Sequence, residues 1–192
     1  MIIDKDIVVL GILEFSSIAV GFHALDEMVK TAPINIIDAR TISQGKYFIV
    51  FSGDLASVEY SFTKGNEIGS KFVINRLMLP MVHPEVIGAI GNVKQTEDRG
   101  TIGIIETLNV TSSIEAADIA AKEGGVTIVE IRLANGFGGK SYVKMIGGLE
   151  NIQAAMNSAV QKIEQEKLLF AKTIIPQPQE EIIPFFIQKP GK

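Results

Sequence analysis

Two small α+β domains of one design, joined in tandem, are predicted by three features of this sequence. The first is an internal repeat. Leu10-Gly11-Ile12-Leu13-Glu14 returns 92 residues later as Ile102-Gly103-Ile104-Ile105-Glu106. Ala24, Asp26, Lys30 and Arg40 return at the same spacing as Ala116, Asp118, Lys122 and Arg132. Gly45-Lys46 returns as Gly139-Lys140, so the second copy carries extra residues just before that pair. A repeat decides architecture before any local signal does. The second feature is the order of elements within each copy, β-α-β-β-α-β, a ferredoxin-like arrangement with two helices on one face of an antiparallel sheet. The third is length: 192 residues accommodate two such units but not two large domains.

The elements are clearest in the second copy. Thr101 to Glu106 is β-rich. Ser112-Ser113-Ile114-Glu115 has the form of a capping box, with Glu three residues after Ser. The helix behind it carries Ile114, Ala117 and Ala121 on one stripe and stops at Gly124-Gly125. Val126 to Leu133 reads as a strand, and Asn135-Gly136-Phe137-Gly138-Gly139 as a glycine-rich loop. Ser141 to Ile146 is the next strand. A helix follows from about Glu150 to Glu166, with Ile152, Met156, Ala159 and Ile163 on one face. Leu168 to Ile175 is the last strand, stopped by Pro176 and Pro178.

The first copy repeats the order. Its first helix carries Ile18, Phe22, Leu25 and Val29 on one stripe. Asp54 is placed to cap the second helix and Gly65 to end it. Pro80 and Glu85 return as Pro176 and Glu181. These signals divide the chain into a first domain over 1–91, a polar linker over 92–99, and a second domain over 100–192 with a C-terminal tail.

Composition narrows the function. Hydrophobic residues make up 46% and mean hydropathy is positive, which suggests apolar surface buried between copies or subunits. No apolar run reaches the roughly 18 residues of a membrane helix. The first residues carry two acids and no basic region ahead of the apolar run, against a secretory signal. With no cysteine there is no disulfide, no Cys-ligated zinc or iron–sulfur cluster, and no cysteine nucleophile. A net charge of −4 and the lack of a basic run argue against nucleic acid as a partner.

Candidate chemistry is sparse. Ala134 to Ser141 fits a relaxed phosphate-loop pattern with Lys140 as its lysine. A true phosphate loop leads directly into a helix, whereas Tyr142 to Ile146 reads as strand. The glycines suit a connection between antiparallel strands instead. His23 and His83 are far apart in sequence and read as local, structural histidines. Glu14 and Glu106 are repeat equivalents, so one shared structural task suits them better than an acid–base pair. Asn109-Val110-Thr111 matches a glycosylation acceptor, which means little without a secretory route.

Gly103-Ile104-Ile105-Glu106-Thr107, then Ile114 to Lys122, then strand, glycine-rich loop and strand, resemble the bacterial microcompartment shell domain. The duplication resembles the tandem form of that family, and the type found in propanediol-utilization compartments in particular. Gly11 to Glu14, Thr41 to Lys46, Phe137 to Lys140 and Ile174 to Pro178 carry the likeness. The resemblance implies a non-enzymatic structural protein in the cytoplasmic compartment shell: a homotrimer forming a pseudohexameric tile beside other shell proteins. It implies a central pore for small polar metabolites, lined by Ile42, Ser43, Gln44 and Gly45 and by Asn135, Gly136, Phe137 and Gly138. It places Lys30 and Lys122 at tile edges. In the propanediol-type relatives a cysteine stands where this chain has Ser43, and three such cysteines hold an iron–sulfur cluster on the axis. A hydroxyl is a poor substitute for thiolate, so the resemblance carries no cofactor to this chain. Two other readings stay open on the residues alone: an oligomeric ferredoxin-like module binding a small effector, and a nucleotide-binding enzyme using Lys140.

Overall fold

A computed structural model describes residues 9–136 and 138–187. It divides into two compact units, one ending at Val82 and the other beginning at His83. In the first unit the order is β1 (Val9–Phe15), α1 (Ile18–Thr31), β2 (Asn35–Ile42), β3 (Lys46–Gly53), α2 (Leu55–Gly69) and β4 (Val73–Pro80). The second opens with a short helix, α3 (Pro84–Ala89). It continues through β5 (Thr101–Thr107), α4 (Val110–Glu123), β6 (Val126–Arg132), β7 (Ser141–Gly147), α5 (Leu149–Gln165), β8 (Leu169–Ile175) and α6 (Ile183–Ile187).

Each unit is a four-stranded antiparallel sheet, ordered β2-β3-β1-β4 and β6-β7-β5-β8. The repeat holds down to irregularities. β2 breaks register against β3 between Ile36 and Asp38, and β6 against β7 between the equivalent Ile128 and Glu130. Met81 and Gln177, which leave the last strand of each unit, both have positive φ, at 54° and 50°. The same left-handed residue therefore turns the chain into α3 and into the segment that leads to α6.

The core of the first unit lies between its sheet and helices. Leu13, Phe15, Ile49 and Phe51 from the sheet meet Ala24 and Met28 of α1 and Val58 of α2. α2 runs on through Gly65, which does not end it: the helix closes at Gly69. Gly65 instead lets α2 approach Leu13 and Met28, whose side chains occupy the place of a Cβ. The α1 stripe also differs from expectation. Gly21, Ala24 and Met28 face inward, Leu25 is partly buried, and Ile18, Phe22 and Val29 are exposed. In α4 the predicted stripe of Ile114, Ala117 and Ala121 is buried, as is the α5 stripe of Ile152, Met156, Ala159 and Ile163.

Capping in the second unit departs from the sequence pattern. The N-cap of α4 is Asn109, whose Oδ1 accepts from the backbone N–H of Ser112 at 2.8 Å. Ser112 thus lies inside the helix and the apparent box is not used. Asn109 is buried, so the glycosylation pattern falls on a structural residue. Asp54 caps α2 as expected, accepting from the Ser57 N–H at 3.0 Å.

Residues 83–99, assigned from sequence partly to the first domain and partly to a linker, pack within the second unit. The Gly91 N–H donates to the Ile131 carbonyl at 2.9 Å and the Lys94 N–H to Val129 at 2.8 Å. The segment satisfies the open edge of β6, and Ile90 and Val93 are buried there. A bare sheet edge recruits any chain that can match its hydrogen bonds.

Candidate functional site

The strand connections differ most between the two copies. In the first unit Ile42 pairs with Lys46, leaving Ser43-Gln44-Gly45 as the turn. Gln44 and Gly45 both have φ of 69°, a tight left-handed turn. Ile42 is buried and anchors it, Ser43 is half-buried, and Gln44 and Gly45 are exposed.

In the second unit eight residues, 133–140, replace the tight turn. Leu133 and Ala134 are buried, whereas Asn135, Gly136 and Gly138 are exposed at its tip. Gly136, Gly138 and Gly139 have φ of 83°, 60° and 85°, values that a side chain would strain. Phe137 lies outside the described residues.

The phosphate-loop reading fails on this geometry. Lys140 leads into β7, not into a helix, so no helix N-terminus faces the loop. The Lys140 ammonium is held by Glu106 at 2.6 Å and lies 3.7 Å from the centroid of the Phe170 ring. Glu14, the equivalent of Glu106, is fully buried and accepts from the Asn75 amide at 3.1 Å. Each carboxylate is thus held by a donor in its own unit. His23 is exposed on α1, and His83 caps α3, its Nδ1 accepting from the Glu85 N–H at 3.4 Å.

Lys30 and Lys122 sit in the last turns of α1 and α4. Each binds the repeated aspartate one turn earlier: Lys30 pairs with Asp26, and Lys122 with Asp118 at 2.6 Å. The Asp26 hydrogen bond, aided by Glu27, raises the Lys30 pKa above its ordinary value. Both ammonium groups remain substantially exposed.

One charged cluster was not legible in the sequence. Glu130 on β6 is buried beside Lys144 of β7 at 2.8 Å, with Arg132 at 3.6 Å and the Tyr142 hydroxyl donating at 3.3 Å. The alternation of Tyr142, Lys144 and Ile146 along β7 puts them on one face. The first unit has Phe48, Val50 and Ser52 at the equivalent positions, all buried.

Among the described residues no group of three or more His, Cys, Asp or Glu could hold a metal ion, and no helix is long and apolar enough to cross a membrane. A groove of about 750 Å³ in the second unit lies among Gln95, Arg99, Gln177, Glu180 and Ile187. It has no nucleophile paired with a base.

This fold, used twice, is that of a shell domain. The BMC domain model matches residues 9–82 and again 101–178. The chain therefore belongs to the BMC-domain family, in its tandem form. It is 34% identical to the bacterial microcompartment shell protein PduT of Citrobacter freundii, over 90% of this chain and 94% of that protein. A crystal structure of a microcompartment protein from Desulfitobacterium hafniense superposes with a TM-score of 0.85 at 36% identity, covering 92% of this chain and 98% of that one. A fused permuted hexameric shell protein from the RMM microcompartment has the same fold at 15% identity, with a TM-score of 0.63 over 86% of this chain and 88% of that one. The family and its relative PduT are structural shell proteins, not enzymes.

Proposed function

We propose that this chain is a trimeric, pseudohexameric tile of a bacterial microcompartment shell in the cytoplasm, associating with other shell proteins and passing small polar metabolites through a central opening. The observation that carries the reading is the shell domain found twice, over residues 9–82 and 101–178. Three chains supply six domains, and a cyclic ring brings equivalent loops together at its axis. Ser43, Gln44 and Gly45 line that opening, with Ile42 anchoring them from below. Three hydroxyls and three amides form a neutral polar constriction, which selects by size and hydrogen bonding. The tip of the second loop, Asn135 to Gly138, frames the same axis. Lys30 and Lys122 lie at the rim, where tiles meet.

The test is a measurement of mass joined to an image. Light scattering is expected to give three times the 20.8 kDa of the chain. Negative-stain class averages are expected to show six lobes around a central opening. A monomer at high micromolar concentration would sink the proposal.

A further inference from the structure

The repeat places two cations at the same register position of the two sheets. Arg76 on β4 lies opposite Leu13 of β1, and Lys172 on β8 lies opposite Ile105 of β5, the repeat equivalent of Leu13. Each reaches back to the helix that precedes its strand. Lys172 meets a carboxylate there, Glu164 of α5 at 3.1 Å. Arg76 meets only an amide: its guanidinium donates to Asn66 Oδ1 of α2 at 3.4 Å.

The position that lost the acid can be named. α2 and α5 start from equivalent N-caps, Asp54 and Gly148. Counted from those caps, Ser70 stands where Glu164 stands. Ser70 and Arg76, with Asn66, Val73, Ile74 and Asn75, line a hollow of about 470 Å³ in the first unit. Of these residues Arg76 alone is charged. Among the described residues Arg76 has no carboxylate partner.

The two amides of the hollow are already engaged. Asn66 Nδ2 donates to the Phe62 carbonyl at 2.7 Å, which turns its Oδ1 towards Arg76 and holds the guanidinium in place. Asn75 Nδ2 donates to the buried Glu14 at 3.1 Å. A guanidinium carries more N–H groups than the single bond to Asn66 uses. Those groups and the Ser70 hydroxyl are the donors that a ligand would meet. Ser70 has φ of 45° and ψ of −123°, a backbone state that strains a residue with a side chain. Strain of that kind persists only where the surrounding structure fixes it, and it gathers at ligand-binding positions.

We propose that this hollow binds a small carboxylate anion, which takes at Arg76 the place that the Glu164 side chain takes at Lys172. The planar fork of arginine meets both oxygens of one carboxylate, whereas an ammonium acts as a point charge. The two differences between the copies therefore go together. A tethered acid suits lysine. A free acid has no covalent link to hold it, and it needs the two-point grip of arginine with the Ser70 hydroxyl beside it. The site lies within the first unit, so the inference does not depend on the tile reading.

Phenylglyoxal modification of the full chain tests it, because peptide mass spectrometry reads each arginine separately. Arg99, exposed in the second unit, is the reference. Sodium acetate, exchanged for sodium chloride at constant ionic strength, is expected to slow the reaction at Arg76 several-fold and saturably while Arg99 reacts at an unchanged rate. Ser70→Glu, which brings back the tethered acid, is expected to slow Arg76 without acetate and to remove the acetate effect. Ser70→Gly, which suits the positive φ, is expected to keep the fold and to weaken the protection. Equal slowing of Arg76 and Arg99 by acetate, or undiminished protection in both Ser70 variants, would overturn the site. Protection by inorganic phosphate with none by acetate would overturn the carboxylate assignment. An Arg76 that is unreactive without added anion, and becomes reactive when the protein is diluted to monomer, would also overturn it, because a carboxylate of a neighbouring chain would then fill the hollow.

Discussion

Gly11 and Gly103 occupy the same place in the two copies, yet a methyl group meets different resistance at each. At Gly11 a Cβ would fall within the Phe51 ring, which is fully buried and cannot swing away. At Gly103 the nearest atoms are Met145 Cγ at 3.0 Å and Met156 Sδ at 3.1 Å, parts of flexible side chains. Gly11→Ala is expected to cost about 1–3 kcal/mol through overpacking, and Gly103→Ala less. Denaturant unfolding of the two variants checks the order. Tyr142 carries a pH prediction. Burial first, and the charge of Glu130 second, push its phenol up to about 12 from an ordinary 10.0. The fold therefore favours the protonated phenol, and the unfolded chain loses that proton first. The stabilisation is complete below pH 10 and is lost as pH rises towards about 12. Phenolate absorbance should show a last step in this range that Tyr142→Phe removes. The melting temperature of the wild type should fall more steeply there than that of the variant.

Elements begin and end where side chains satisfy their open backbone groups, and not always where sequence patterns place them. The Ser112–Glu115 pattern points to a cap, but Asn109 takes that place three residues earlier, because only there does the chain enter from β5 in extended geometry. Asn109→Ala is expected to lower stability by about 1 kcal/mol, whereas Asn109→Asp retains the bond; thermal melts distinguish them. Gly65 has the residue type of a helix end and the position of a close packing contact. Both uses of glycine look alike in one dimension. The periodicity of α1 has the same ambiguity. Its stripe at Ile18, Phe22 and Val29 is real, but it is not the face that packs on the sheet. An apolar stripe says that something will cover it, and not that the covering comes from the same domain.

For the whole molecule the repeat means that each surface occurs twice in slightly different form. Lys30 and Lys122 sit at equivalent corners, each braced by an aspartate one turn earlier. On the tile reading, Lys30→Asp with Lys122→Asp should leave the trimer intact by light scattering and abolish extended sheets formed with partner shell proteins in electron micrographs. Loss of the trimer instead would place these lysines at the joint between chains. On the same tile reading, the two strand connections would divide the labour at the axis. The first is a three-residue turn held by Ile42, and the second is an eight-residue excursion built on glycines. A ring of such chains has threefold, not sixfold, character.

The sequence alone determined the duplicated β-α-β-β-α-β design, because the spacing of echoed residues and the periods of strand and helix are local properties that survive in one dimension. It also carried the family, through motifs repeated in order, and the failure of the phosphate loop, through the strand that follows Lys140. Only the tertiary structure decided where residues 83–99 belong. Their polar composition suggests a linker, but the row of unpaired groups on the edge of β6 captures them. It alone assembled Glu130, Tyr142 and Lys144, which come from two neighbouring strands and show no mutual spacing in the chain. And it alone separated the buried face of α4 from the bare face of α1. Burial depends on what arrives from elsewhere in space, and no pattern within fourteen helical residues records that arrival.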